Sequence, residues 1–292
     1  MRKLFLLATA TTVVAGLIGT GCATAAHADV SLAVAAPRGA VKALTKWEPF
    51  AKYLQSKIGT PVKVIPESAK KLEASINDKT VDYALCNPVQ AVMVHQMSGA
   101  KYLASLVTDT GKKFGGVIVA NPKSGVTKGI QLKGKRVIGM AKAAAGGYLF
   151  QAYELKKDGL DVPAAFGSYR VIKNQDDAVL AVKAGLADAA FVRTGIVESL
   201  IAAGKMKKGD VVIVDAKSGF PQALSTTLYP EWYLVQSNKA DPNAAKVKAA
   251  ALALTPNSPA AKAAKIKGFD EPVNAGDTVT MMKAMKVPPF NK

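Results

Sequence analysis

The chain has 292 residues, enough to bury one large core or two medium ones, and it carries 39 lysines and arginines against 21 acidic residues, a net charge of +18. So large an excess favours anionic partners, whether small anions, acidic protein faces or anionic lipid headgroups, although a lysine-rich surface also serves solubility. Two cysteines and two histidines, none at zinc-ligand spacing, exclude a disulfide framework and a histidine-based metal site.

The predicted elements begin with a leader. Arg2 and Lys3 precede an apolar run over residues 4–18, and Ala26-His27-Ala28 puts small residues at the two positions a signal peptidase reads. The run falls short of the ~20 residues a bilayer span needs. Residues 1–28 therefore read as a signal peptide cleaved after Ala28, which leaves Asp29 as the mature start and Cys86 as the remaining cysteine. An uncleaved anchor is the alternative. Lipid attachment at Cys22 is disfavoured because Gly19-Thr20-Gly21 lacks a large aliphatic residue. Lysines scattered without interleaved aromatics, in an exported chain, argue against nucleic acid.

Val30-Ser31-Leu32-Ala33-Val34-Ala35 predicts a short buried strand, followed by a turn at Pro37-Arg38-Gly39. Trp47, Phe50, Ala51 and Leu54 recur at helical spacing up to Gly59. A strand over residues 62–66, a helix over 72–77, a strand over 81–86 stopped by Asn87-Pro88, and a helix over 89–97 complete a βαβαβα order. That order predicts a parallel sheet with helices on both faces. The order repeats: strands over residues 116–120, 136–140, 169–172, 189–192 and 211–214 alternate with helices over 147–157, 175–185 and 195–203. From Asn243 onward the pattern is alanine- and lysine-rich helix, broken at residues 255–259. Two α/β units without a disordered linker predict two lobes. Residues 29–116 and 210–292 form the first and residues 117–209 the second, with crossings near Gly115-Gly116 and Gly209-Asp210 where glycine absorbs the dihedral change of closure.

Several segments carry a family resemblance. They are Trp47-Glu48-Pro49-Phe50, Val81-Asp82-Tyr83-Ala84-Leu85-Cys86-Asn87-Pro88, Leu132-Lys133-Gly134-Lys135-Arg136-Val137, Gly146-Gly147-Tyr148-Leu149, Ala181-Val182-Lys183-Ala184-Gly185-Leu186-Ala187-Asp188 and Ser225-Thr226-Thr227-Leu228-Tyr229-Pro230-Glu231-Trp232. In order and spread they resemble the phosphate/phosphite/phosphonate-type periplasmic binding proteins of ABC transporters. The last segment is similar to the branch that serves as the periplasmic sensing domain of tetrathionate-type sensor histidine kinases. The resemblance implies a type II periplasmic binding fold, α/β, with two Rossmann-like lobes, a hinge and an interlobe ligand cleft. The leader points to a periplasmic location, and a monomer is expected.

In open α/β sheets ligands bind beyond the carboxyl ends of strands, where helix starts present N–H groups to anions. Five loops qualify. Arg38 offers a planar fork to an oxyanion, or is a solvated turn residue. Asn87 can contact ligand through its amide or cap the next helix. Cys86 reads as a small core residue, with a cleft-facing thiol the sharper alternative. In the loop ahead of Gly146-Gly147-Tyr148, the resembled family places Ser and Thr hydroxyls, whereas this chain has Ala143, Ala144 and Ala145. That weakens the case for phosphate or phosphonate and leaves the N–H groups of Gly146 and Gly147, with Tyr148 either at the pocket or in the core. Arg193, costly to bury without an anionic partner, is the favoured carrier of ligand charge, ahead of a structural ion pair, with Thr194 as cap or contact. Ser225 and Thr226 could reach the cleft from a return strand.

Enzymatic readings are weak. Cys86 and His95 lack a third group, and no Gly-rich phosphate loop or dinucleotide fingerprint occurs. No catalytic residue and no cofactor is expected. The expected function is capture of a small anionic ligand and its presentation to a membrane ABC permease or sensor histidine kinase. The alternative is an exported basic module that binds an acidic partner without a small ligand, which a steep loss of partner binding with salt would reveal.

Overall fold

The computed structural model describes residues 29–36 and 39–291. The predicted leader and Arg38 lie outside the described residues. In chain order the elements are β1 (Val30–Ala35), α1 (Ala40–Ile58), β2 (Val62–Glu67), α2 (Ala69–Asn77), β3 (Tyr83–Cys86), α3 (Pro88–Ser98), β4 (Lys101–Val107), β5 (Lys113–Phe114), β6 (Gly116–Ala120) and β7 (Arg136–Gly139). There follow α4 (Phe150–Lys157), β8 (Ser168–Val171), α5 (Gln175–Lys183), β9 (Ala189–Arg193), α6 (Ile196–Ala202) and β10 (Val212–Val214). The chain closes with β11 (Tyr229–Pro230), β12 (Tyr233–Gln236), α7 (Ala244–Leu252), α8 (Pro259–Ala264), β13 (Gly268–Asp270) and α9 (Gly276–Ala284).

Two sheets organise the molecule. The first has the order β13-β4-β12-β3-β1-β2. Its β2, β1 and β3 are parallel as the βαβ pattern predicts, but β12 inserts antiparallel between β3 and β4, and β13 joins antiparallel at the edge. The sheet is therefore mixed. The buried face of α1 (Trp47, Phe50, Ala51, Leu54 and Ile58) forms one core with α7 and α8, while α2 and α3 cover the opposite face. The second sheet has the order β10-β6-β9-β7-β8, with α4 on one face and α5 and α6 on the other.

The chain crosses between the sheets twice. β4 leads through β5 into β6, and the return runs through β11 into β12, with β5 and β11 paired antiparallel as a two-stranded ribbon. The return crossing is thus near residues 224–232, not at Gly209-Asp210 as the sequence reading had it. β10 pairs with β6 and keeps residues 212–214 in the second sheet, so those residues do not stand with the first lobe. At Gly115 the two crossings touch. A Cβ there would lie 2.4 Å from Leu224 Cδ1 and 3.0 Å from Thr226 Oγ1, so a side chain at this position would displace Leu224 and crowd Thr226. One apolar cluster also spans the hinge: Val89 and Val92 of α3 and Met281 and Met282 of α9 pack with Phe150 of α4 and Tyr229 of β11.

At the amino ends of β1 and β3, Asp82 is nearly buried and accepts from Ser31 N (2.8 Å), Ser31 Oγ (2.6 Å) and Lys239 Nζ (2.7 Å). Burial alone would raise its pKa, but the Lys239 and Ser31 hydrogen bonds outweigh it and hold the carboxyl below its ordinary value. A depressed folded pKa gives stability that is present above the unfolded value, about 3.9, and is lost as pH falls through the folded one. The variant Asp82→Asn should therefore be less stable at neutral pH and lose less on acidification than the parent. Paired urea titrations at pH 7 and pH 3 measure both.

Candidate functional site

The candidate site lies where the carboxyl ends of β7 and β9 meet the ribbon. After β7 the chain turns and enters a π-helical turn, Ala145–Leu149, that runs directly into α4. The first closed bonds are Leu149 N to Ala144 O (2.9 Å) and Phe150 N to Ala145 O. The amides of Ala145, Gly146, Gly147 and Tyr148 precede them, and none donates to an acceptor outside the helix among the described residues. These residues are buried. Buried N–H donors without an acceptor are costly, and an oxyanion at a helix start would satisfy them. Glycine at 146 is required by packing: a Cβ there would lie 2.7 Å from the Phe114 ring and 3.0 Å from Arg193 Cβ.

Arg193 ends β9 directly beside this turn. Its backbone N–H donates to Gln175 Oε1 (2.7 Å), which fixes the strand end. Its guanidinium lies 4.3 Å from the centre of the Phe114 ring and donates through Nη2 to Glu231 Oε1 at 2.7 Å. The Arg193 side chain is 31 % exposed and that of Glu231 is 2 % exposed. The structural ion pair weighed for Arg193 therefore exists, with Glu231 of the ribbon as its anion, while the Arg193 side chain stays partly exposed. Thr194, next in sequence, is buried, and its Oγ1 accepts from Gly115 N at 3.4 Å.

The remaining candidates are dispersed. Ser225 Oγ accepts from Ile118 N (2.9 Å) and donates to Val214 O (2.7 Å), and Thr226 Oγ1 accepts from Gly116 N (2.8 Å) and donates to Thr227 O (2.8 Å). Both hydroxyls tie the return crossing to β6. Asn87 Oδ1 accepts from Val89 N and Gln90 N, so it caps α3. Tyr148 is 3 % exposed, donates to Val162 O and stands edge-on to Tyr169 in the core, where burial, with a smaller push from Asp161, moves its hydroxyl up to about 12. His95 Nδ1 is 2.7 Å from Ala100 O. Cys86 is fully buried, and burial, then the Glu73 carboxylate, pushes its thiol well above the ordinary range. A thiol so placed is unreactive. Native protein should resist iodoacetamide at pH 8, whereas the urea-unfolded chain should be alkylated at Cys86, as intact mass would record.

Sequence reasoning missed three residues packed at the candidate site. Phe114 lies in a two-residue strand with no periodicity to reveal it. Glu231 sits inside the Tyr229-Pro230-Glu231-Trp232 segment, where an acidic residue among aromatics was the available signal for a buried ion pair. Gln151 of α4 is fully buried and donates through Nε2 to Gly146 O (2.9 Å), Val192 O (2.8 Å) and Val117 O (3.2 Å), so it braces the π turn against β6 and β9. No group of acidic, histidine or cysteine side chains suited to a metal ion occurs among the described residues.

Known proteins share this architecture. The family model described as "ABC transporter, phosphonate, periplasmic substrate-binding protein" matches residues 32–276. The tetrathionate sensor histidine kinase TtrS of Salmonella typhimurium is 28% identical over 222 residues, 74% of this chain. The match spans only 38% of that relative's length. PhnD1 of Prochlorococcus marinus, solved in complex with methylphosphonate, superposes with a TM-score of 0.72 at 15% identity, covering 89% of this chain and 98% of that one. A binding-protein component of an ABC phosphonate transporter from Pseudomonas aeruginosa gives 0.71 at 16% identity over 90% of this chain and 89% of its own. With two α/β lobes joined by a paired ribbon and a family match over most of its length, the chain belongs to the phosphonate-type periplasmic substrate-binding proteins of ABC transporters and has their type II fold.

Proposed function

We propose that this protein captures a small oxyanion between its lobes, at the head of α4 beside Arg193, and presents it to a membrane partner, either an ABC permease or a sensor histidine kinase. The observation that carries this reading is the set of four amides of buried residues at Ala145–Tyr148 without acceptors outside the helix, next to the partly exposed Arg193 side chain. Ala143, Ala144 and Ala145 supply no hydroxyls, so recognition rests on backbone N–H groups and Arg193. Such a site suits an anion whose charge is spread over several oxygens. Methylphosphonate and tetrathionate, named with relatives of this chain, are the first ligands to try. The protein acts by binding and closing: the ligand favours the closed state by its higher affinity for it, and the partner reads that state.

Melting temperature measured against phosphate, methylphosphonate, sulfate, thiosulfate and tetrathionate tests the reading. A ligand at 100 times its dissociation constant stabilises by about 2.7 kcal/mol, or roughly 5–10 °C for a chain of this size. At least one of these anions should give a saturable shift that Arg193→Ala abolishes. A shift that survives in Arg193→Ala, or no shift with any oxyanion, would remove the site.

A further inference from the structure

The ribbon of β5 and β11 has two faces. Phe114 lies on one, packed with Phe150, Tyr229 and Met281. Lys113 precedes it, and successive strand residues point to opposite faces. On the Lys113 side an open hollow of about 580 Å³ lies, within the roughly 300–1,000 Å³ typical of small-molecule sites. Lys112 and Lys113 of the outgoing crossing and Leu228 of the return crossing line it. Phe220 adds a wall from the loop held by α6, where Ala223 N donates to Glu198 Oε1 at 2.7 Å. Pro272 and Val273 close the other side from the first lobe, where Val273 N donates to Ser105 Oγ of β4 at 2.9 Å.

The charges around the cavity are unequal. Lys112 Nζ is committed to Asp270 at 2.7 Å, and Glu271, which also lines the cavity, is committed to Lys248 at 2.8 Å. Lys113 has no acidic partner among the described residues. An apolar hollow beside one uncompensated ammonium is complementary to an organic anion, which would place its apolar body on Phe220, Leu228, Pro272 and Val273 and its headgroup on Lys113.

We propose that this cavity is a second ligand site, separated from the Arg193 site by the ribbon, for an organic carboxylate or sulfonate with an apolar body. Its selectivity is opposite to that of the α4 head: inorganic oxyanions have nothing to set against the apolar walls, and a bulky apolar body has no place among four buried amides. Because both crossings and both lobes line it, its shape depends on the hinge.

Naphthalene-1-sulfonate is the probe. Titration calorimetry on the full chain should give saturable one-to-one binding that sulfate does not displace. Lys113→Gln should weaken binding at least tenfold, because it removes the headgroup's counter-charge from an exposed side chain whose loss leaves the fold intact. Phe220→Ala should weaken it comparably, and Arg193→Ala should leave it unchanged. Unsaturable binding, or full affinity in Lys113→Gln, would overturn the proposal. So would loss of binding in Arg193→Ala with retention in Lys113→Gln, which would put the probe in the oxyanion site. Unaltered melting temperature of Lys113→Gln shows that the effect is on binding, and this variant decides the matter even if Phe220→Ala fails to fold.

Discussion

Replacing Glu231 with glutamine should tighten oxyanion binding by about 10- to 100-fold. Glu231 is a nearly fully buried carboxylate, 2 % exposed, whose Oε1 accepts from Arg193 at 2.7 Å. Any oxyanion that reaches the guanidinium must share it with this carboxylate and lie close to a second negative charge. A hydrogen bond to a charged group contributes about 1.5–3 kcal/mol, and repulsion between neighbouring like charges is of the same order, which sets the expected factor. Glutamine keeps the length of the side chain and an oxygen to accept from Nη2, so the guanidinium stays over Phe114 while the competing charge disappears. The opposite change, Arg193→Ala, should abolish binding and destabilise the protein by about 3 kcal/mol, because it strands a buried carboxylate. The double variant, Arg193→Ala with Glu231→Gln, should recover most of that stability and none of the binding. Calorimetric titration with the oxyanion that shifts the melting temperature most, at fixed ionic strength, reads the affinities, and urea unfolding reads the stabilities. If Glu231→Gln bound more weakly than the parent, Glu231 would be an orienting group for Arg193 and not a rival of the ligand.

The parts of the molecule legible in the sequence are those where one local pattern decides. The apolar stripe Trp47, Phe50, Ala51 and Leu54 predicted the buried face of α1, and the short apolar runs at residues 30–35, 62–66 and 189–192 predicted β1, β2 and β9. β12 and β13 were invisible for a physical reason. They are four and three residues long, and they owe their strand state to neighbours far away in sequence, β12 to β3 and β4, and β13 to β4. The return crossing was misplaced for the same reason: nothing in Val212-Ile213-Val214 says that its partner is β6. Within the proposed site, Arg193 and the Gly146-Gly147 turn stood out as candidates because charge beside a buried strand and glycine at a helix start are local signals. The commitment of the Ser225 and Thr226 hydroxyls to the backbone of β6, and of Ser225 to β10 as well, could not be picked out, since it depends on where two crossings touch.

Gln151→Leu should lower stability by about 2–4 kcal/mol and the melting temperature by roughly 5–12 °C, and it should weaken oxyanion binding at least tenfold. Gln151 sits on the second turn of a helix that begins irregularly, and its amide is where that irregularity is held. A π turn at residues 145–149 widens the helix start and leaves the Gly146 carbonyl aimed at Gln151 Nε2, 2.9 Å away. The same nitrogen reaches Val192 O and Val117 O, so one side chain fixes the turn to β9, whose end is Arg193, and to β6, whose start is the first crossing. Leucine fills the space and offers no donor, so all three contacts to the buried carbonyls of Gly146, Val117 and Val192 are lost. Gln151→Glu should be worse than leucine at pH 7, because a carboxylate would face three carbonyl oxygens, and milder at pH 4, where a protonated carboxyl supplies one donor. That inversion with pH separates loss of hydrogen bonding from loss of packing, since leucine and glutamate fill similar volumes. Thermal unfolding of the three proteins at both pH values reads the stability, and anion titration reads the site. If Gln151→Leu unfolded normally and bound normally, the four amides would be held by the helix alone, and the brace assigned to Gln151 would be superfluous.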